Sequence, residues 1–216
     1  MLLAQSKWQA GLGVDYFQSK LTNIDTEHYS GNFLSDPNYL QTDYGGWAPK
    51  LILRRKLNPK WNIETGLGFM MQHSQFHFDY IDNWQFHINT TLVNKFYYLT
   101  IPMMAQYNLW NMNQHSIGLG GGLINKVLLK TNSNLADVIF EQIMIGASGN
   151  PYVLSSRLEC GYSFNVHKAS RINLNAFLLR DFTNVVDSRV FANSFFHSNL
   201  GKSKYLSYGL GISYIF

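Results

Sequence analysis

Apolar and polar residues alternate with a period of two along most of the chain. In the last segment, bulky apolar side chains occupy every second position from Leu206 to Phe216, and Ser or Gly fills the positions between them as far as Ser213. Such alternation predicts a β-strand with one apolar and one polar face. The pattern recurs in seven further segments, which are residues 8–16, 47–57, 61–71, 97–109, 116–129, 152–166 and 172–178. The sequence therefore predicts eight strands.

The connections between these strands alternate in length. Short turns are predicted at 58–60, 110–114 and 167–170, and long connections at 18–44, 82–94, 131–151 and 183–203. An even strand number with this alternation is typical of outer-membrane barrels, whose short turns are periplasmic. We therefore predict an all-β fold, an eight-stranded antiparallel up-and-down transmembrane β-barrel with long extracellular loops, over residues 7–216. Residues 1–6 are interpreted as a leader remnant or a flexible N-terminus.

A soluble lipocalin-like barrel or sandwich is the competing interpretation. It leaves the many glycines of the polar face unexplained, because strand glycines weaken a water-facing sheet. The same glycines suit the narrow lumen of an eight-stranded barrel. Aromatic residues near the ends of the apolar face are also typical of the two girdles at the membrane interfaces. These residues are Trp8, Tyr16, Trp47, Trp61, Tyr97, Tyr107, Tyr152, Tyr208 and Tyr214.

Composition and charge agree with a lipid-facing wall. Charged residues make up only 14% of the chain, against about 25% in soluble domains. The single cysteine, Cys160, excludes an intramolecular disulfide and a cysteine-ligated zinc site. Basic residues outnumber acidic ones by 17 to 13. Many bases fall near the predicted short turns, where we expect anionic phospholipid headgroups and no nucleic acid as partners; they are Lys7, Arg54, Arg55, Lys56, Lys60, Lys168 and Arg171.

Charged residues on the polar face predict a network inside the lumen. Buried charges are costly unless they are paired, and acids and bases both occur on this face. The predicted network residues are Lys50, Arg54, Glu64, Arg157 and Glu159. We expect a packed polar lumen without a cofactor, and a narrow channel or small-ligand porin is the alternative.

Three segments are more apolar than loops require, namely 75–88, 134–145 and 191–197. In the first, the apolar positions change from odd to even numbers, as a bulge or an extended hairpin would produce. The second is predicted as a short helix capped by Asn134, docked on the barrel mouth or on a partner. Exposed apolar loops suggest a protein interface, the alternative being packing within the hairpin itself. The predicted partner surface comprises Phe76, Phe78, Trp84, Phe86, Ile139, Phe140, Ile143, Phe195 and Phe196.

Histidines raise the possibilities of catalysis and of metal binding. His197 and Ser198 are adjacent, and lipid A deacylases use His and Ser, but neighbouring residues of a strand point to opposite faces. No acid lies close to them in sequence, so we predict no catalytic residues and no enzyme activity. We also predict no metal site, because His73 and His77 lack an acid placed to orient them.

One strand carries a family resemblance. The sequence Tyr-Leu-Thr-Ile-Pro-Met-Met-Ala-Gln-Tyr at 98–107 resembles the strand "YLEIPLLLKY" of the Bacteroidota outer-membrane β-barrel domain family, which includes PorT-like proteins. A glycine-rich strand follows at 118–122, as in that family. Thr100 and Gln106 replace the acid and the base of the family strand, so the ion pair between them is expected to be absent. Tyr214 and Phe216 resemble the C-terminal signal that the barrel-assembly machinery reads.

The resemblance implies residence in the outer membrane of a Gram-negative bacterium, with roles in type IX secretion or gliding for some members. The function that we predict is a structural or accessory subunit of an outer-membrane complex for secretion, barrel assembly or nutrient uptake. The expected partners are outer-membrane lipids, the barrel-assembly machinery through the C-terminal strand, and other outer-membrane proteins.

Overall fold

The computed structural model describes residues 8–22, 38–42, 44–81, 87–136, 143–166, 170–192 and 196–216. Within these ranges the chain forms eleven strands. They are β1 (Trp8–Thr22), β2 (Asn38–Thr42), β3 (Tyr44–Lys56), β4 (Trp61–Ile81), β5 (His87–Met112), β6 (His115–Ala136), β7 (Ile143–Gly149), β8 (Tyr152–Asn165), β9 (Arg171–Asp181), β10 (Val186–Ala192) and β11 (Phe196–Ile215). In the part of the chain so described, no helix is long and apolar enough to cross a membrane.

Eight of these strands close a barrel. Their order is β1, β3, β4, β5, β6, β8, β9 and β11, and each neighbouring pair is antiparallel. The first and last strands join in a ladder that runs from Gly11 opposite Ile215 to Thr22 opposite Lys204. The predicted eight-stranded antiparallel barrel is confirmed.

The remaining three strands lengthen the barrel wall at the long-loop end. β2 pairs with β4 beyond the end of β3, and β10 pairs with β7 and with the first part of β11. β4 and β5 themselves have 21 and 26 residues, whereas a tilted strand needs about 9–11 to cross a membrane. Much of what was predicted as long loops is therefore strand. The β5 side of the extended hairpin, residues 87–94, alternates only weakly between apolar and polar residues, so period-two analysis does not detect it.

The helix predicted over 134–145 is wrong at both ends, and its middle, residues 137–142, lies outside the described residues. Residues 134–136 are the end of β6, and residues 143–145 belong to β7. Asn134 pairs with Val93 and Leu135 with Leu92 of β5. Pairing with the long β5 strand therefore outweighs the local helix signals, as tertiary context often does.

The change from odd to even apolar positions in β4 reflects an extended hairpin and not a bulge. The register of β4 against β5 is constant from Gly68 opposite Thr100 to Ile81 opposite His87. Irregularities lie instead between β5 and β6, one near each end of their ladder. β4 and β5 therefore continue past the membrane as one uninterrupted hairpin.

The outer wall carries an apolar band with an aromatic girdle at each end. At the short-turn end the girdle is formed by Trp8, Trp61, Tyr107 and Tyr214. At the long-loop end it is formed by Tyr16, Trp47, Tyr97, Tyr152 and Tyr208. The nine residues from Trp8 to Tyr16 on β1 match the length of a membrane-crossing strand. Among the described residues between the girdles, large apolar side chains are exposed on the outer wall, as expected of a surface that faces lipid.

Candidate functional site

Arg157 lies at the centre of an ion-pair network inside the barrel. Its Nη1 donates to Asp15 Oδ2, and its Nε donates to Glu159 Oε2 at 2.9 Å. The guanidinium also stacks over Phe177, with its carbon 3.9 Å from the ring centroid. One buried side chain from β8 thus connects β1, β8 and β9 across the lumen.

The network extends from Arg157 in both directions. Lys50 Nζ donates to the same Asp15 oxygen at 3.1 Å. On the other side, Gln106 Nε2 lies 3.1 Å from both Glu64 Oε2 and Glu159 Oε1. Arg54 then contacts Glu64 Oε2 through Nη2 at 2.8 Å and Nε at 3.2 Å.

We call these seven residues the lumen network: Asp15, Lys50, Arg54, Glu64, Gln106, Arg157 and Glu159. All five residues that the sequence predicted belong to it, and three carboxylates balance three cations. Asp15 and Gln106 were not among the predicted residues. Asp15 shared a face with glycines that were already assigned to the lumen, and this was the signal for including it.

Gln106 joins two carboxylates of the lumen network. Its amide bridges Glu64 and Glu159. Thr100, which stands in place of the family acid, is buried and opposite Lys126 in the β5–β6 ladder. No ion pair joins positions 100 and 106, as expected from their side chains.

A second buried pair lies nearer the long-loop end. Lys126 Nζ donates to Asp181 Oδ1 at 2.8 Å, and both side chains are 0% exposed. Ser155 Oγ donates to the same oxygen at 2.6 Å, and the backbone N–H of Tyr205 donates to Oδ2 at 3.3 Å. The Lys126 ammonium also lies 5.8 Å from the ring centroid of Tyr98. We call Lys126 and Asp181 the upper pair.

Buried apolar side chains fill the lumen on the long-loop side of the lumen network. They are Phe17, Ala48, Met70, Phe96, Tyr98, Ile124, Val153, Phe177, Leu179, Val185 and Tyr205. The cavities found among the described lumen residues have volumes of about 40 and 30 Å³, room for only a few water molecules each. These residues therefore seal the barrel and leave no continuous pore between them.

The sealed lumen predicts that the protein does not conduct ions. In a planar bilayer we expect no stepwise current, whereas Phe17→Ala combined with Arg157→Ala should open a small cation-selective current. Selectivity for cations follows because Asp15 and Glu159 remain when Arg157 is removed. A general porin serves as the positive control. Stepwise currents from the wild-type protein would contradict the sealed lumen.

The predicted partner surface falls on two separate walls. Phe76 and Phe78 lie on β4, in the extended β4–β5 hairpin. Ile143 on β7 is opposite Ala192, which is opposite Phe196 on β11, so these three positions share one row. The other predicted residues, Trp84, Phe86, Ile139, Phe140 and Phe195, lie outside the described ranges.

The histidines considered in the sequence lie on two strands, β4 and β11. His197 and Ser198 are consecutive in β11, opposite Phe191 and Val190 of β10. His73 is opposite Lys95 in the β4–β5 ladder. Among the described residues, no group of three or more His, Cys, Asp or Glu side chains is placed to hold a metal ion.

The two residues that the sequence predicts as an assembly signal lie on the outer wall at the short-turn end. Tyr214 and Phe216 are both exposed, and their ring centroids are 6.2 Å apart. The backbone N–H of Phe216 donates to the carbonyl oxygen of Ala10 at 2.9 Å. Phe216 is thus hydrogen-bonded to the first strand of the barrel.

The predicted basic rim at the short turns is smaller than the sequence suggested. Arg54 points into the lumen and pairs with Glu64. Arg171 is half-buried, and its Nε donates to Asn165 Oδ1 at 2.9 Å. The exposed bases described at this rim are Arg55, Lys56 and Lys60, and Lys7 and Lys168 lie outside the described residues. Arg54 was counted among the rim bases because it is close to the turn in sequence. The alternation of β3 instead places its side chain on the inner face of the barrel.

The architecture matches solved outer-membrane proteins. Over 100% of this chain and 99% of the other, it aligns with the outer membrane protein OprG from Pseudomonas aeruginosa at a TM-score of 0.54 and 11% identity. The fold is that of the eight-stranded outer-membrane barrels. The E. coli outer membrane protein W aligns over 96% of this chain and 98% of that chain, with 9% identity and a TM-score of only 0.38.

The sequence itself matches no family model and no curated protein. At 11% identity the likeness to OprG concerns the fold alone. Any function must therefore be argued from the residues of this chain.

Proposed function

We propose that this protein is an integral outer-membrane barrel of a Gram-negative bacterium, acting as a structural or accessory subunit of an outer-membrane protein complex. The proposal includes membership of the Bacteroidota PorT-like barrel family and the absence of enzyme activity. It also includes recognition of the C-terminal Tyr214 and Phe216 by the barrel-assembly machinery.

The sealed lumen is the observation that carries the proposal. The lumen network joins five strands across the lumen, and Asn175 of β9, which donates to Glu159 Oε2 at 3.0 Å, adds a sixth. A barrel closed in this way does not act by passing solutes. Its function must then reside on its outer surfaces, which are the wall, the short-turn rim and the long-loop end.

Among these surfaces, the long-loop end exceeds what a membrane anchor needs. The β4–β5 hairpin continues for ten ladder positions beyond Met71 and Tyr97, up to Ile81 opposite His87. The β4 side of this extension carries the aromatic residues Phe76, Phe78 and Tyr80. β2, β7 and β10 add further paired strand on the same side of the membrane. So much paired strand beyond the membrane favours a surface that binds another protein. A loop that only connects two membrane-crossing strands would need far less ordered backbone.

Native electrophoresis of tagged protein, extracted in a gentle detergent, tests the proposal. The wild-type chain should migrate in a high-mass band with co-purifying partners. The matched variant replaces residues 76–92 by Asn-Gly. Because Gln75 is opposite Val93, a two-residue turn can close the shortened hairpin.

We expect the shortened variant to fold, as judged by its heat-dependent mobility on a denaturing gel, and to migrate as a monomer. Lys56→Gln with Lys60→Gln alters the short-turn rim instead and should keep the high-mass band. A wild-type protein that migrates only as a monomer would contradict the proposed role as a subunit of a complex. Retention of the complex by the shortened variant would exclude the hairpin as the binding platform.

A further inference from the structure

Three basic residues lie close together on the outer wall at the long-loop end. Lys20 on β1 is opposite Leu206 on β11, and Leu206 is opposite Arg180 on β9, so the three residues form one row across adjacent strands. Lys204 is two residues from Leu206 and therefore points to the same face. We call Lys20, Arg180 and Lys204 the cationic cluster.

The cluster faces outward. Next to its members along the strands, Ser19, Asp181 and Tyr205 are buried in the lumen. Since successive side chains of a strand alternate between faces, Lys20, Arg180 and Lys204 point away from the barrel axis. With strands about 4.8 Å apart, the α-carbons of Lys20 and Arg180 are roughly 10 Å from each other. Long side chains on such a row can converge on a single phosphorylated headgroup.

The cluster lies directly above the apolar band. Below it on β1 and β11 are Gln18, Tyr16 and Tyr208, and the Tyr208 hydroxyl donates to Gln18 Oε1 at 2.8 Å. Tyr208 belongs to the aromatic girdle of the long-loop end, and its hydrogen bond to Gln18 marks the level at which the apolar wall ends. A ligand that touches both surfaces must have an anionic head and an apolar tail.

No described carboxylate neutralises the cluster from outside the barrel. The acidic side chains that the structure describes, Asp15, Glu64, Glu159 and Asp181, are all directed into the lumen network or the upper pair. Asp187 is opposite Lys202 in the β10–β11 ladder, two residues from Lys204. It is one acid beside four bases, namely Lys20, Arg180, Lys202 and Lys204, so the net charge of this part of the wall stays positive.

We propose that the cationic cluster binds the phosphate groups of an anionic lipid in the outer leaflet, whose acyl chains lie on the apolar wall below. The assignment rests on the proposed outer-membrane location. It does not depend on the proposed complex, because the barrel alone carries the three cations and the wall. The lipid that fits this chemistry carries at least one phosphate on a headgroup broad enough to span neighbouring strands.

Native mass spectrometry of the purified barrel in detergent micelles tests the assignment, with bisphosphorylated lipid A as the probe. The test variant is Lys20→Gln, Arg180→Gln, Lys204→Gln. The matched control is Arg55→Gln, Lys56→Gln, Lys60→Gln, which removes three exposed bases from the opposite end of the same wall. Heat-dependent gel mobility verifies that each variant is folded.

We expect the test variant to bind the probe on the order of a hundredfold more weakly, because each cation near a charged surface changes affinity by about fivefold. The control should bind as the wild type does, and dephosphorylated lipid A should bind wild type as weakly as the test variant binds the probe. Equal affinity of both triple variants would overturn the proposal.

Two further outcomes decide the matter. Displacement of the probe by millimolar inorganic phosphate would show a free-anion site and would overturn the lipid assignment. Should the triple variant not fold, Lys20→Gln alone replaces it, and the expected loss becomes about fivefold. An unchanged affinity for Lys20→Gln would then also count against the proposal.

Discussion

Lys126→Met is expected to lower the free energy of unfolding by about 3–5 kcal/mol, which is the typical cost of stranding one member of a buried ion pair. The Asp181 carboxylate would keep its bonds from Ser155 and from the Tyr205 backbone, but it would lose its only described cation at 2.8 Å. Both members of the upper pair are 0% exposed, so no water is at hand to replace the ammonium. Equilibrium unfolding in urea, followed through the fluorescence of the 5 tryptophans, measures the loss.

The double variant Lys126→Met, Asp181→Leu distinguishes the effect of a stranded charge from the effect of lost packing. Because it removes both charges together, it should regain most of the stability that either single variant loses. Lys50→Met is the matched control, since Asp15 keeps Arg157 as a partner when Lys50 is removed. We expect that control to lose about 1–2 kcal/mol. A double variant as unstable as Lys126→Met would show that lost packing, and not the stranded charge, causes the effect.

The pairing of Lys126 with Asp181 could not be predicted from the sequence. Lys126 lies inside a predicted strand, but its partner is 55 residues away and three positions beyond the end of the strand predicted over 172–178. Alternation assigns a residue to the inner face, whereas its height in the lumen depends on the register of every intervening hairpin. Without that register, Asp181 and Lys126 are two lumen charges with no reason to pair.

The lumen network was more accessible to prediction, for a physical reason. Arg54 and Glu64 are close to one another across a short turn, and Arg157 and Glu159 are two residues apart on one strand. Local geometry places each of these pairs on a shared face with little uncertainty in height. Asp15 lies near Lys50 because β1 pairs with β3, but it reaches Arg157 across the lumen only because the first strand also pairs with the last and closes the barrel.

Apart from the extended hairpin offered for residues 75–88, the extended walls were missed because their sequence lacks the contrast that a membrane imposes. Residues 87–94 alternate weakly, yet they pair without interruption with β4. Outside the membrane both faces of a strand contact water or neighbouring protein, so neither face needs to be uniformly apolar. The band between the aromatic girdles was predicted well because lipid requires one face to be apolar at every position.

Leu158→Arg should lower the free energy of unfolding in phosphatidylcholine vesicles by about 2–4 kcal/mol, the cost of a lipid-facing arginine near the membrane midplane. Leu158 lies on the outer wall between the two girdles, opposite Gly121 on β6 and Leu178 on β9. Its side chain is 64% exposed to the surroundings of the barrel. The guanidinium would therefore stand in hydrocarbon, far from either headgroup layer.

Leu57→Arg makes the comparison decisive, because Leu57 is similarly exposed at 50% but lies in the turn beyond the short-turn girdle. At that level an arginine costs only about 0–1 kcal/mol in a membrane barrel. In a water-facing barrel both substitutions would be nearly neutral, since exposed surface positions tolerate charge. A large loss at Leu158 with a small one at Leu57 thus requires a low-dielectric layer around the middle of the wall. Equal effects at the two leucines would contradict a membrane-embedded barrel and return the fold to the soluble class.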